Sequence, residues 1–397
     1  MRTCIRRLAS RLSIGLACLL QAAALQAAPY VITEVMSGLA NPRGLAFGPD
    51  GALYVAEGGS GGNGPSVVLG NGETAFFGTS SALSRWSGGV QTRLLSGLPS
   101  IAPVGGGGAG GLQDIVFDGA GQAYGLFALG TSATQRNDNL GAAGADLGTI
   151  VRLSLDGSGV RTPVADISFS ATLADSNPFG MALNSGGSFI VADAGANSFL
   201  QATMAGGVTT LATLPPSPNP LPFGPPVYQA VPTSVAIGPD GAYYIGQLTG
   251  FPFPPGAANV HRYDPATMAL TVAHTGFTNI IDLTFDAAGN LFVLQISSNG
   301  LASPAGPGSG LLLKIDASTG QRTTIASEGL FFPGSVLVGP DDALYVSNRT
   351  DDPMGGQVLR ISPIPEPSTW LLMIGGIGLV AARALRARSA ELQTSST

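Results

Sequence analysis

Oxygen-bearing side chains at matched points of a repeating pattern are the residues of this 397-residue chain best suited to chemistry. Glu57, Asp193 and Asn348 each close a short apolar run, and Asp114 and Asp282 each open one. Carboxylate and amide oxygens gathered at one place suit Ca²⁺, which takes about six to eight hard ligands. Ca²⁺ is the one cofactor to which any of these residues point. An ion held with open positions would polarise a carbonyl and activate water, so the matching reaction is lactone or ester hydrolysis. Ordinary strand-end capping by the same five residues is the competing reading.

Other catalytic arrangements are poorly supplied. His261 and His274 are the only histidines, thirteen residues apart on what reads as one outer hairpin, so a Ser-His-Asp triad is hard to assemble. Gly58-Gly-Ser-Gly-Gly62 has the letters of a nucleophile elbow, but it lies in a glycine-rich loop and not at a strand-to-helix turn. Gly105–Gly111 lacks the lysine and the following helix of a phosphate loop. Trp86 and Trp370 fall on an outer strand and in the tail, so they form no sugar platform. Both cysteines, Cys4 and Cys18, lie in the N-terminal segment, which removes disulfides, zinc-thiolate sites and a cysteine nucleophile from the remainder. Four of the 18 basic residues lie there too, leaving 14 against 24 acidic ones, a net charge of −10 with Lys314 the single lysine. Such a surface lacks the phosphate contacts of nucleic-acid binding, so nucleic acid is not an expected partner.

The elements that would position these residues repeat six times. Gly44-Leu-Ala-Phe-Gly-Pro-Asp-Gly-Ala-Leu-Tyr-Val55 sets the pattern, and Asp114–Gly125, Gly180–Val191, Ser234–Ile245, Asp282–Val293 and Ser335–Val346 follow it. Each is an apolar strand, a tight turn and a second apolar strand. Equivalent residues (Phe47, Phe117, Leu183, Ile237, Phe285, Val338) are spaced by 48 to 70 residues, enough for a four-stranded blade of about 40–50 residues plus insertions. The last unit lacks a fourth strand, and Tyr30–Leu39 supplies one. The expectation is an all-β, six-bladed β-propeller over residues 28–363, closed by its N-terminal strand. Pro215–Pro226 reads as a stiff inter-blade loop and not as a domain boundary.

Strand direction then sorts the loops. The second-to-third strand loops and the inter-blade loops share one face, and they include Gly58–Ala82, Phe127–Gly148, Leu214–Ala230, Gly250–Ala258 and Ser297–Gly310 as irregular segments. The other face receives only tight turns. Long loops on one face of a rigid scaffold mark a binding surface. On that face the five oxygen-bearing residues would border the channel mouth.

The two ends read as export signals. Residues 1–27 have a basic start (Arg2, Arg6, Arg7, Arg11), an apolar middle from Leu12 to Leu25 and a small-residue exit, the three parts of a signal peptide. Residues 364–388 carry Pro365-Glu366-Pro367, an apolar run from Trp370 to Ala382, and Arg383, Arg386 and Arg388. Thirteen apolar residues make a helix of about 20 Å against a hydrocarbon core of about 30 Å, a weak transmembrane anchor. A polar tail of residues 389–397 follows. The box, helix and arginine cluster in this order resemble the PEP-CTERM sorting signal, which implies an exosortase and the secretion machinery as partners, at least transient membrane contact, and a Gram-negative cell envelope or extracellular matrix as destination. Gly38–Glu57 resembles NHL-type and sugar-dehydrogenase propellers, but the channel histidine and basic residues of the quinone-dependent dehydrogenases have no counterpart here. With Glu57-Gly-Gly-Ser-Gly-Gly62, the region 30–361 is most similar to the exported ScyD/ScyE propellers, named for a pigment gene cluster. The reading is a non-catalytic binding or interaction module at the cell surface or in its polysaccharide matrix. The alternative is a Ca²⁺-dependent hydrolase or lactonase at the channel mouth.

Overall fold

Each repeated hairpin forms because apolar, β-branched and aromatic residues fill both faces of two short strands. Gly48–Gly51 shows what joins them: the Gly51 amide donates to the Gly48 carbonyl, and Gly51 sits at φ 71°. That left-handed position suits glycine, and in the sixth unit Asp342 occupies it at φ 57°. The computed structural model describes residues 30–168 and 175–364, and in it the hairpins grow into six antiparallel sheets.

Blade 1 runs from Pro42–Phe47 through Leu53–Glu57 and Thr74–Ser87 to Val90–Ala102, with Ser66–Val68 as an added short strand. Blade 2 is Leu112–Phe117, Ala123–Phe127, Thr149–Leu153 and Arg161–Asp166. Blade 3 spans Pro178–Thr213, blade 4 Pro232–Phe277 and blade 5 Ile280–Ala326, each with four strands in sequence order. Blade 6 takes three strands from Ser335–Val338, Leu344–Asn348 and Gly356–Pro363, and its outermost strand is Tyr30–Leu39. The N-terminal strand therefore closes the ring as expected. Met36 and Leu39 pack with Leu45, Leu53 and Val55 of blade 1 and Tyr345 of blade 6, and a Gln357–Glu34 hydrogen bond ties the closing strand to its neighbour Gly356–Pro363.

The seams between blades hold the core. The faces of a radial blade look at its neighbours, so strand side chains fill these seams and not the channel. Tyr54 meets Phe117 of the next blade edge-on at 5.0 Å, Tyr244 meets Phe285 at 4.9 Å, and Tyr345 meets Phe47 at 5.2 Å. Such pairs add about 0.5–1.5 kcal/mol each beyond area burial. The same tyrosines donate their hydroxyls to Asp50, Asp240 and Asp341 in the turns, and Arg85, Arg262 and Arg360 on the third strands pair with those carboxylates. One tyrosine thus ties its own turn to the neighbouring blade.

Three segments expected to be irregular are partly built. Within Gly58–Ala82, the third strand of blade 1 begins at Thr74 and pairs with Ser66–Val68. Within Phe127–Gly148 lies a helix, Ala133–Leu140, whose first turn is capped by Ser132 accepting from the Gln135 amide. Arg136 anchors it through Asp166 at 2.7 Å and the Leu147 carbonyl. Within Leu214–Ala230, Ser217–Pro218 pairs with Val227–Tyr228. Among the described residues no helix is long and apolar enough to cross a membrane. The signal segment 1–27 and the sorting residues Pro365, Glu366, Pro367, Arg383, Arg386 and Arg388 lie outside the described residues.

Candidate functional site

The inner strands line a channel cavity of about 500 Å³, walled by Leu45–Phe47, Asp114–Phe117, Gly180–Leu183, Val235–Ile237, Asp282–Phe285 and Ser335–Val338. These strands have one free edge, and their lumen-facing amides lack a ladder partner. Two of the five predicted oxygen ligands answer that need. Asp114 accepts from the Ile115 amide and, across the seam, from Met181 at 2.7 Å. Asp282 accepts from Leu283, from Val336 at 2.8 Å and from the Ser335 hydroxyl at 2.7 Å. They stand on blades 2 and 5, opposite each other in a six-bladed ring, with Gly44, Gly180, Ser234 and Ser335 at the intervening places. A narrow space of about 30 Å³ lies at this level, lined by both aspartates. The close fit explains the glycines: a Cβ on Gly44 would stand 2.8 Å from the Asp114 Cα.

Burial in this ring shifts both acids. Desolvation pushes Asp114 up to about 8, helped by the negative charge of Asp282 and opposed by its amide bonds. Desolvation raises Asp282 to about 6 against three hydrogen bonds. Charge on both is disfavoured relative to water because neither carboxyl has a cation beside it.

The other three predicted ligands do something else. Glu57 accepts from the Ala40 amide at 2.7 Å and the Ser84 hydroxyl at 2.5 Å, and pairs with Arg93 at 2.6 Å. Asp193 accepts from the Asn177 and Ala196 amides and the Ser176 hydroxyl, and burial raises it to about 6. Asn348 accepts from the Phe331 amide and donates to the Gly329 carbonyl and Gln357. Gln295 makes the equivalent bond to the Thr278 amide. In four blades, then, the last residue of the second strand clasps the loop that enters the same blade. This corrects the expectation that Glu57, Asp193 and Asn348 border the channel: side chains of second strands point into seams. Among the described residues no three acidic, histidine or cysteine side chains converge on one point. Asp114 and Asp282 offer at most four oxygens, already used as amide and hydroxyl acceptors, so this donor set does not fit Ca²⁺. His261 and His274 lie on the third and outer strands of blade 4, away from the channel lining, with His261 near Gln247 at 3.4 Å.

The long-loop face carries a groove that the oxygen-bearing residues did not signal. It has a volume of about 610 Å³ and is walled by Ser60–Asn63, Phe76, Pro103–Gly106, Pro353 and Met354. Val104 is 90% exposed and Met354 81%, on opposite loops of the same concavity. The two glycine-rich stretches dismissed as catalytic motifs build its walls. Gly61, at φ 63°, lies so close to the extended blade 1 hairpin that a Cβ would meet the Ala102 nitrogen and the Phe76 oxygen at 2.6 Å. Further round the face, Phe251 lies edge-on to both Phe223 and Phe253, with Phe251 51% exposed.

No protein-family profile and no curated protein matches the chain. Solved structures do. A soluble aldose sugar dehydrogenase from Escherichia coli aligns with a TM-score of 0.50 at 16% identity, covering 84% of this chain and 100% of the other. An auxiliary nutrient binding protein from Bacteroides thetaiotaomicron aligns at 0.51 and 11%, over 85% and 77%. A structural genomics protein of unknown function from the same bacterium aligns at 0.52 and 10%, over 84% and 76%. At these identities the likeness is one of fold.

Proposed function

We propose that this chain is an exported, envelope-sorted β-propeller of the ScyD/ScyE type that binds an extracellular partner through its long-loop face, without catalysis. The groove between the loops of blades 1 and 6 carries the reading. Large apolar side chains at 81% and 90% exposure stand across one concavity, where solvent exposure of both is costly unless something covers them. The destination follows from the ends of the chain: the signal peptide directs export and the PEP-CTERM-like tail directs sorting by an exosortase to the envelope or its polysaccharide matrix.

The test is sedimentation of the full-length chain with isolated extracellular matrix and envelope from an exosortase-bearing bacterium. Wild type should cosediment saturably. Val104→Asp with Met354→Asp should weaken that by about thirtyfold or more, since burying each of the two apolar side chains against a partner is worth roughly 1–2 kcal/mol. Equal retention of the double variant would refute the groove as the binding surface.

A further inference from the structure

Above the aspartate ring, on the long-loop side, a second cavity of about 90 Å³ lies under the loops of blades 1 to 3. It shares Gln113 and Phe179 as lining with the narrow space at the ring. Leu69, Ile101, Leu129 and Phe179 give it apolar wall, and three polar side chains line it as well: Arg43, Gln113 and Asn177. All three come from the same structural position or beside it, because the inner strands of blades 1 to 3 are irregular near their starts, between Pro42 and Leu45, Leu112 and Asp114, and Pro178 and Gly180. A bulge of this kind re-aims a side chain out of the regular alternation.

The side-chain donors around this cavity are only partly used. Arg43 gives one hydrogen bond, from Nη2 to the Ala109 carbonyl at 2.9 Å, and its Nε is enclosed with no acceptor. Gln113 is only 4% exposed, yet among the described residues its amide has no hydrogen-bond partner; nor has the Asn177 side chain, whose main-chain nitrogen alone is used. Burial lowers Arg43 to about 10, and the charge of Asp351 opposes that shift without forming an ion pair. A guanidinium in such a place is strongly biased towards an anion, because an unpaired buried donor costs more than a made bond gains. We infer that this cavity is a binding site for a small monocarboxylate, held by Arg43 with the amides of Gln113 and Asn177, the alkyl part lying against Phe179 and Leu129.

The chemistry selects that class. One guanidinium supplies one positive charge and a planar pair of donors, which match a carboxylate. A phosphate dianion would bring a second charge that nothing in the cavity neutralises, with Asp351 nearby. The volume admits several waters or one short acid, since a single water takes about 30 Å³ of liquid. This inference goes beyond the groove reading and concerns a separate cavity.

The test titrates the purified full-length chain with sodium propionate at fixed ionic strength, using propionamide as the neutral isostere and inorganic phosphate as the competing anion. Melting temperature should rise saturably with propionate and not with the other two. Arg43→Met should weaken propionate binding by roughly tenfold or more, the loss expected for charge-assisted bonds. Gln113→Glu, which places a carboxylate beside Arg43, should abolish the response and provides the check if Arg43→Met does not fold. Equal responses to propionate and propionamide, a response to phosphate alone, no response at all, or a full propionate response in Gln113→Glu would each overturn the inference. The groove variants Val104→Asp and Met354→Asp should keep the propionate response, so failure here and failure of the matrix-binding reading are separable.

Discussion

Asp114 and Asp282 show how one residue type serves a ring of free strand edges. Each carboxyl satisfies inner-strand amides on its own and the next blade, and both remain in a setting that disfavours charge. The linkage has a definite sign. A carboxyl raised in the folded state binds its proton more tightly there than in the unfolded chain, so its contribution is greatest below the unfolded value near 3.8 and is lost as pH rises to about 8. Asp114→Asn cannot ionise. Its melting temperature relative to wild type should therefore climb as pH rises from about 4 to 8 and level off above that, read by thermal denaturation in matched buffers. A constant difference across this range would contradict the assignment. From sequence, Asp114 and Asp282 could be placed at the channel because they open innermost strands. Glu57, Asp193 and Asn348 could not be separated from them, since the seam-facing direction of a second strand is set by how blades stack. Arg43, Gln113 and Asn177 carried no signal, because their convergence depends on irregularities at three strand starts far apart in the chain.

At the scale of elements, the hairpin repeat made the fold legible. Gly-Pro-Asp-Gly turns between apolar runs specify their own geometry locally, and Tyr30–Leu39 could be matched to a fourth strand by its likeness to Val90–Leu98. What local pattern did not disclose was order within the insertions. The helix Ala133–Leu140 has few apolar residues and depends on the Arg136–Asp166 pair, and the blade 1 extension depends on pairing Thr74–Ser87 with two other strands. The tyrosine that links turn to seam makes a separable prediction. Tyr345→Phe keeps the edge-on packing with Phe47 and removes only a partly exposed bond to Asp341, costing about 1 kcal/mol or less. Tyr345→Ala opens the blade 6–blade 1 seam and should cost about 3–5 kcal/mol in urea unfolding. Similar losses for the two would mean that the hydroxyl, and not the ring, holds the seam.

On the scale of the whole molecule, closure is the property on which everything else rests. The outer strand of blade 6 is contributed from the other end of the chain, so the ring stays shut by sheet pairing and by the packing of Met36 and Leu39. Deleting residues 30–39 should leave the edge of Gly356–Pro363 unpaired and shift the chain towards aggregates, relative to wild type, in size-exclusion chromatography. An unchanged elution profile would show that closure is dispensable. The closed ring also divides the molecule into a face of tight turns and a face of long loops, with recognition assigned to the second. Hydrogen–deuterium exchange of the full-length chain, with and without saturating extracellular matrix, tests that directly. New protection is expected in Ser60–Asn63, Pro103–Gly106 and Pro353–Met354, with the turns at Gly48–Gly51 and Gly238–Gly241 unchanged. Protection confined to the turns, or spread equally over both faces, would contradict recognition by the long-loop face.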